Sequence, residues 1–140
     1  MTTAKWGTPG TQGSNIAGTT LDSLGNGSTS AFITYDNSSL LDMQASVLVN
    51  LGSITPGTGG AITLRTFSSQ GSDVPDNSGS AGGGETYVAY LASGTGAKVV
   101  VFPMVRLYPE SMRFCITNNA GVALAASGNS LKVRTYPESM

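Results

Sequence analysis

The side chains that most often carry enzyme chemistry are sparse in this sequence. Histidine is absent, which excludes Ser-His-Asp triads, Cys-His pairs and histidine-based metal sites. The one cysteine, Cys115, stands in the apolar stretch Arg-Phe-Cys-Ile at 113–116, so no intramolecular disulfide can form. We predict that Cys115 is a small buried hydrophobic side chain rather than a reactive thiol.

Eight carboxylates remain as candidates for acid or base catalysis, and their spacing marks no two of them as a pair. Most stand beside Ser, Asn or Gly, where a carboxylate usually caps a turn in solvent. The acidic segment 73–77 lacks the spacing of a calcium-binding loop, and the glycines at 82–84 lack the Lys-Ser/Thr of a phosphate-binding loop. We therefore predict a protein that is not an enzyme and holds no metal ion and no cofactor. The carboxylates are Asp22, Asp36, Asp42, Asp73, Asp76, Glu85, Glu110 and Glu138.

The balance of charge bears on possible partners. Charged residues make up 11% of the chain, and seven basic against eight acidic residues leave a net charge of -1. Such a chain has no electrostatic attraction to a phosphate backbone, so we expect no nucleic acid partner. Weak repulsion between copies favours a protein built into an assembly.

Targeting and membrane signals are weak as well. No stretch approaches the roughly 20 apolar residues of a membrane-spanning helix, so we expect no membrane partner. The N-terminal Met-Thr-Thr-Ala-Lys-Trp lacks the charged and apolar regions of a secretion signal, and we expect synthesis in a cytosol.

The densest apolar run, residues 97–108, predicts the strand around which the fold is organised. Its consecutive valines and Phe102 suit a pleated sheet better than a helix. Because the run is continuous rather than alternating, it predicts a central strand buried on both faces or passing between two sheets. Pro103 removes a hydrogen-bond donor near the end of the run and predicts a bend there.

The remaining apolar segments alternate with period two and are separated by turn residues at about ten-residue spacing. In the longest, Met43, Ala45, Val47 and Val49 share one face, and Leu48 is the exception on the other. Residues 52–60 predict a hairpin-type connection, 118–121 a hairpin turn, and 68–84 a long surface loop. The whole pattern predicts an all-β, antiparallel β-sandwich of the jelly-roll kind. Besides the 97–108 strand, the predicted strands are 30–35, 41–51, 61–67, 85–91, 112–117, 122–125 and 130–136.

The N-terminal residues 1–29 predict an extended arm, and residues 30–140 a single sandwich domain. The arm is rich in Gly, Ser, Thr and Asn, so we expect it to be ordered only by what it lies against. Its apolar residues are the candidate assembly contacts, with Trp6 as the large anchor. Docking into a neighbouring chain and covering the edge of its own domain remain equal alternatives for Trp6. The other candidates are Ile16, Leu21 and Leu24.

An internal repeat links two of the predicted strands. Residues 105–112 recur at 133–140 with seven of eight positions identical. One interpretation is structural: both copies end a strand with Arg and Tyr on one face, leave through Pro, and place Glu within reach of Arg. The alternative is a recent local duplication, or an artefact of the coding sequence, without function.

Several short motifs together resemble small jelly-roll structural proteins of tailed bacteriophages, some of which decorate or cement capsids. The resemblance runs over most of the chain. The loop around Val74 and the repeated Tyr-Pro-Glu-Ser-Met depart from it. The motifs are Lys-Trp-Gly-Thr-Pro at 5–9, Leu-Asp-Ser-Leu at 21–24 with Asn-Gly at 26–27, Asp-Asn at 36–37, Arg-Phe at 113–114, Asn-Asn-Ala-Gly at 118–121, Ala-Ala-Ser-Gly-Asn at 125–129 and Arg-Thr-Tyr at 134–136.

The resemblance implies a virion structural protein without enzymatic activity, made in the host cytoplasm and placed on the capsid surface. Its partners would be the major capsid protein and copies of itself, as a trimer, joined through the arm. The alternative is a head-fibre or tail-associated module that binds a glycan of the host surface. That module would use the 68–84 loop or exposed aromatic rings, for which the candidates are Tyr35, Tyr87, Tyr90, Tyr108 and Tyr136.

Overall fold

The structure, a computed structural model, describes residues 5–68 and 84–139, so the predicted 68–84 loop lies almost entirely outside it. Within those ranges the chain forms strands, turns and bends, and no helix that could cross a membrane is found there. In chain order the strands are β1 (Lys5–Trp6), β2 (Ile33–Asp36), β3 (Gln44–Ile54), β4 (Ala61–Ser68), β5 (Glu85–Tyr90), β6 (Gly96–Arg106), β7 (Ser111–Asn119), β8 (Ser130–Thr135) and β9 (Glu138–Ser139).

Two antiparallel sheets enclose the core. One sheet has the strand order β2-β7-β4-β5, the other has the order β6-β3-β8, and β1 pairs with β9 as a separate ribbon. Alternate residues of β3 are buried, as the period-two pattern predicts for a strand with one face in the core. The predicted all-β antiparallel sandwich is confirmed. Its fully buried side chains include Val47, Val49, Leu64, Phe114 and Leu131.

Residues 7–16, which we call the strap, run along the edge of β8. Counted as the first strand, the strap completes a nested set of antiparallel pairs: strap with β8, β2 with β7, β3 with β6, and β4 with β5. Nested pairs of this kind arise when one long hairpin wraps around a sandwich, which is the jelly roll. The strap is held by N–H groups of Gly7, Gly10, Gly13 and Ile16, which donate to the carbonyls of Pro137, Thr135, Val133 and Leu131 at 2.8–2.9 Å.

Glycine lets the strap approach β8 closely. The hydrogen-bonded residues are three positions apart in the strap and two positions apart along β8. Glycine therefore occupies three successive contact points, Gly7, Gly10 and Gly13. A Cβ added at Gly10 would lie 2.8 Å from Oγ1 of Thr135, and one at Gly7 would lie 2.8 Å from the carbonyl oxygen of Pro137. The side chains between the glycines are exposed. Backbone hydrogen bonds therefore dominate the contact.

We expect Gly10→Val to detach the strap without unfolding the sandwich. The added side chain would collide with Thr135, while the strap contributes no buried side chain before Ile16. The N–H groups of Gly13 and Ile16 should exchange with solvent at least tenfold faster, while the melting temperature falls by only about 5 °C. Thr11→Val, at an exposed neighbouring position, is the control and should leave exchange unchanged. Equal protection in both variants would contradict the steric role of Gly10.

Residues after the strap belong to the core of the same domain. Ala17 and Leu21 are buried in the one cluster that also holds the sandwich strands. Side-chain amides fix this segment further, since Asn118 donates to the carbonyl of Leu24 at 2.9 Å and Asn129 to a carboxylate oxygen of Asp22 at 2.7 Å. The core thus crosses the predicted boundary between residues 29 and 30.

The predicted central role of the 97–108 run is wrong, because β6 is an edge strand and β3 is the middle strand of its sheet. Apolar residues follow one another without alternation because both faces of the strand are apolar. The outward face is nevertheless open to solvent. Pro103 lies where a bulge shifts the register, since Ala45 pairs with Val105 and Val47 with Phe102. An edge strand tolerates the missing donor there.

Two predicted hairpins are also wrong. Residues 52–54 still belong to β3, and residues 55–60 connect it to β4, which lies in the other sheet. Residues 122–125 form no strand, because the buried Asn118 turns the chain by donating to the carbonyl of Val122 and accepting from the N–H of Ala120. The N–H of Leu124 then donates to Leu24.

The two copies of the repeat flank β3 on opposite sides. In both, the valine is buried and the arginine exposed: Val105 and Arg106 end β6, while Val133 and Arg134 lie in β8. The paths then diverge, since the first copy turns into β7 and the second continues into β9. The ion pair of Arg106 is with Glu85, at 3.7 Å, rather than with the glutamate of its own repeat.

Candidate functional site

The solvent side of the three-stranded sheet, which we call the outer face, combines three columns of side chains. Register fixes the rows, because residues of adjacent strands that pair directly point to the same side. The buried residues of β3 point inward, so the alternate ones lie on the outer face. The rows are Val99, Asn50 and Ser130; Val101, Leu48 and Lys132; the Pro103–Met104 bulge, Ser46 and Arg134; and Arg106 with Gln44.

The β6 column of the outer face is apolar and open to solvent. Val99 is 65% exposed, Val101 50% and Met104 51%. Leu48 of β3 pairs directly with Val101 and widens the column. Contiguous exposed apolar side chains on a soluble domain typically mark a contact surface.

The β8 column of the outer face is cationic. Lys132 is half-buried and Arg134 is exposed. The Nε of Arg134 donates to the carbonyl of Gly10 at 2.8 Å, which ties the strap to the guanidinium. Strands β3, β6 and β8 contain no Asp or Glu, so the sheet itself supplies no carboxylate to this column.

A mostly apolar groove of about 390 Å³ continues the outer face toward the strap. It opens between the strap and the β6 bulge, so the docked strap forms one of its walls. The position of Pro9 on that wall depends on the hydrogen bonds of the neighbouring glycines to β8. The lining residues are Gly7, Pro9, Pro103, Met104 and Tyr136.

Of the residues predicted as assembly contacts, Ile16, Leu21 and Leu24 lie against the core of their own domain. Trp6 is in β1, where its backbone pairs with Glu138. Ile16 and Leu24 are partly buried against the core of their own domain. Leu21 is 0% exposed, so it has no surface left for another chain.

The tyrosines proposed for glycan stacking are mostly engaged within the domain. Tyr35 stacks on Phe114 with the ring centroids 6.0 Å apart, and Tyr87 meets Phe102 edge-on at 6.5 Å. Burial is the main cause that raises the pKa of both phenols. Tyr90, on β5 of the other sheet, is 78% exposed.

A small polar cluster lies near the end of β6. The hydroxyl of Tyr87 donates to Glu85 and accepts from the N–H of Arg106. The Arg106 guanidinium pairs with Glu85 and lies 5.9 Å from the ring centre of Tyr108. The charge of Arg106 is therefore partly compensated, which distinguishes it from the cations on β8.

The chemistry available elsewhere is limited. Cys115 is buried, and burial raises the pKa of its thiol to about 11 against the smaller opposing effect of Arg65. The thiol therefore stays protonated near neutral pH, and the prediction of a buried, unreactive cysteine is confirmed in its burial. In residues 5–68 and 84–139, no three acidic or cysteine side chains come together as metal ligands. Asp73 and Asp76 lie outside the described residues.

The outer face was not predicted from the sequence, although two features of the sequence pointed to it. Leu48 broke the alternation of its strand, and the valine run of β6 lacked any polar position. Both patterns arise because apolar residues occupy the solvent side of the sheet. Only the strand order shows that these residues are neighbours.

Comparisons with known proteins place the chain in no family. No family model matches the sequence, and no curated protein matches it. Among solved structures, it is similar to part of a family GH115 4-O-methyl-alpha-glucuronidase with specificity for decorated arabinogalactans, with 12% sequence identity and a TM-score of 0.48. The match covers 89% of this chain and only 16% of that chain. A likeness at this level carries no argument about function.

Proposed function

We propose that this protein is a non-enzymatic structural protein of a bacteriophage virion that decorates the capsid surface and stabilises the head. Its partners are the major capsid protein and copies of itself, with the trimer that the sequence resemblance implies. The observation that carries the proposal is the exposed apolar column of the outer face, formed by Val99, Val101 and Met104. A surface of this kind suits permanent contact with another protein better than free solution.

The repeated attachment points of a capsid lattice suit a surface that binds weakly at each point. A single patch of a few apolar side chains gives modest affinity, and attachment at several lattice points raises the effective affinity without new contacts. The weak net charge of the chain suits close packing among copies. Since the strap lies on β8 of its own domain, we assign the capsid contact to the outer face and give the strap the role of forming one wall of the groove.

The proposal predicts that the protein is found on purified virions of the phage that encodes it. Mass spectrometry should detect it in stoichiometric amounts, and cryo-EM should show it on the outside of the head. Particles lacking the protein should open at a lower temperature, and adding the purified protein back should restore their stability. Absence from purified virions, or unchanged thermal opening of depleted heads, would contradict the proposal.

A further inference from the structure

We infer that the outer face binds a protein surface whose apolar strip is flanked by carboxylates. This binding chemistry rests on the proposed function and follows from the arrangement of the apolar and cationic columns of the outer face. Those columns lie on β6 and β8, two strand spacings or about 10 Å apart. A partner must therefore satisfy both at once.

The apolar column requires an apolar counterpart. Val99, Val101 and Met104 are each at least half exposed, and covering them with apolar atoms stabilises a complex in proportion to the area removed from water. The adjoining groove, with Pro9 and Tyr136 in its lining, extends the same strip. A purely ionic partner would leave this strip uncovered.

The cationic column requires carboxylates that the sheet does not contain. In the described part of the chain, Lys132 and Arg134 have no ion-pair partner, whereas Arg106 has Glu85. Covering unpaired cations with a neutral surface costs free energy, because their hydration is lost without compensation. Carboxylates at the rim of the partner would replace that hydration and favour one orientation of docking.

The same charges argue against two other occupants. A second copy stacked through its own outer face would bring no free carboxylate, because β3, β6 and β8 contain none and Glu85 is already paired with Arg106. A nucleic acid would pair its phosphates with Lys132 and Arg134 but leave the valine column without an apolar partner. An acidic, apolar protein surface satisfies both columns.

The first test uses a small probe of matching chemistry, the aromatic sulfonate 8-anilinonaphthalene-1-sulfonate, on the folded full-length protein. Fluorescence titration should show binding to the native protein, and Val101→Ser and Lys132→Glu should each weaken it at least fivefold. Two matched controls lie off the outer face. Val88→Ser changes an equally exposed valine on the other sheet, and Lys98→Glu changes a lysine whose partner on β3 is the buried Leu51. The controls should change binding less than twofold. No binding by the native protein, or equal effects of variants and controls, would overturn the inference.

The second test uses empty heads of the phage and the same four variants. Binding to heads should weaken at least fivefold for Val101→Ser and Lys132→Glu and should fall as NaCl is raised from 50 to about 500 mM, because salt screens the ion pairs. Salt-independent binding, or heads bound equally by all variants, would overturn the inference while leaving a virion role intact. Absence of the protein from virions, with the probe results as expected, would instead overturn the virion role alone. Two further outcomes would overturn the inference: dimers that form through the outer face, and oligonucleotide binding that is lost in Lys132→Glu.

Discussion

Val100→Asp is expected to leave the chain unfolded, whereas Val101→Asp, one residue along the same strand, is expected to fold. Val100 is 4% exposed and points into the core, and Val101 is 50% exposed on the outer face. Burying an unpaired carboxylate costs several kcal/mol, which approaches the whole stability of a domain this size. The same carboxylate at position 101 stays in water and should cost about 1 kcal/mol or less.

Circular dichroism and thermal melting of the two variants separate these outcomes. Val101→Asp should keep a cooperative transition close to that of the parent protein, and Val100→Asp should show none at 25 °C. Cooperative melting of Val100→Asp would mean that the inward and outward assignments of β6 are reversed. The pair tests the strand's orientation with two identical chemical changes at adjacent positions.

Asn118→Ala should destabilise the protein by about 3 kcal/mol or more. The Asn118 side chain is 0% exposed and makes three hydrogen bonds, donating to Leu24 and Val122 and accepting from Ala120. Each buried group left without a partner costs roughly 1–3 kcal/mol. The loss should also loosen residues 17–29, which this side chain ties to the sandwich.

Urea denaturation measures the effect, with Asn119→Ala as the control. Asn119 is exposed and makes one side-chain hydrogen bond, to Thr63 at 3.3 Å, so its removal should cost less than about 0.5 kcal/mol. Similar midpoints for the two variants would show that the buried network contributes little. Faster amide exchange at Leu124, whose N–H donates to Leu24, would locate the loosening.

The sequence predicted the sandwich because most strands alternate clearly between core and solvent. Ala45, Val47 and Val49 in β3, and Leu131 and Val133 in β8, are buried as their spacing predicts. The jelly-roll class followed from the number of such strands and the turns between them. These features are local, so a single sequence contains them.

The features that the sequence did not predict depend on pairings between residues far apart in the chain. In the sequence, the glycines of the strap indicated only that this segment makes no core contacts. Their spacing matches that of the carbonyls of β8, and the two segments lie side by side only in the folded protein. The β6 run has the composition of a strand buried on both faces, although one face is open. Leu21 lies in a polar stretch that could not predict its burial, because the space it fills is made by strands far along the chain.

The near-identical repeat on both sides of β3 has a consequence for folding kinetics. While the chain collapses, the repeated residues of either copy can pair in the same direction with the start of β3, so two pairings compete there. Within the repeat, the copies differ only at Leu107, which is 6% exposed, and Thr135, which is half-buried beneath Gly10. Exchanging the copies would place a hydroxyl in the core and a leucine where the strap needs close approach. Within the repeat, this position alone therefore distinguishes the copy that pairs with one edge of β3 from the copy that pairs with the other edge.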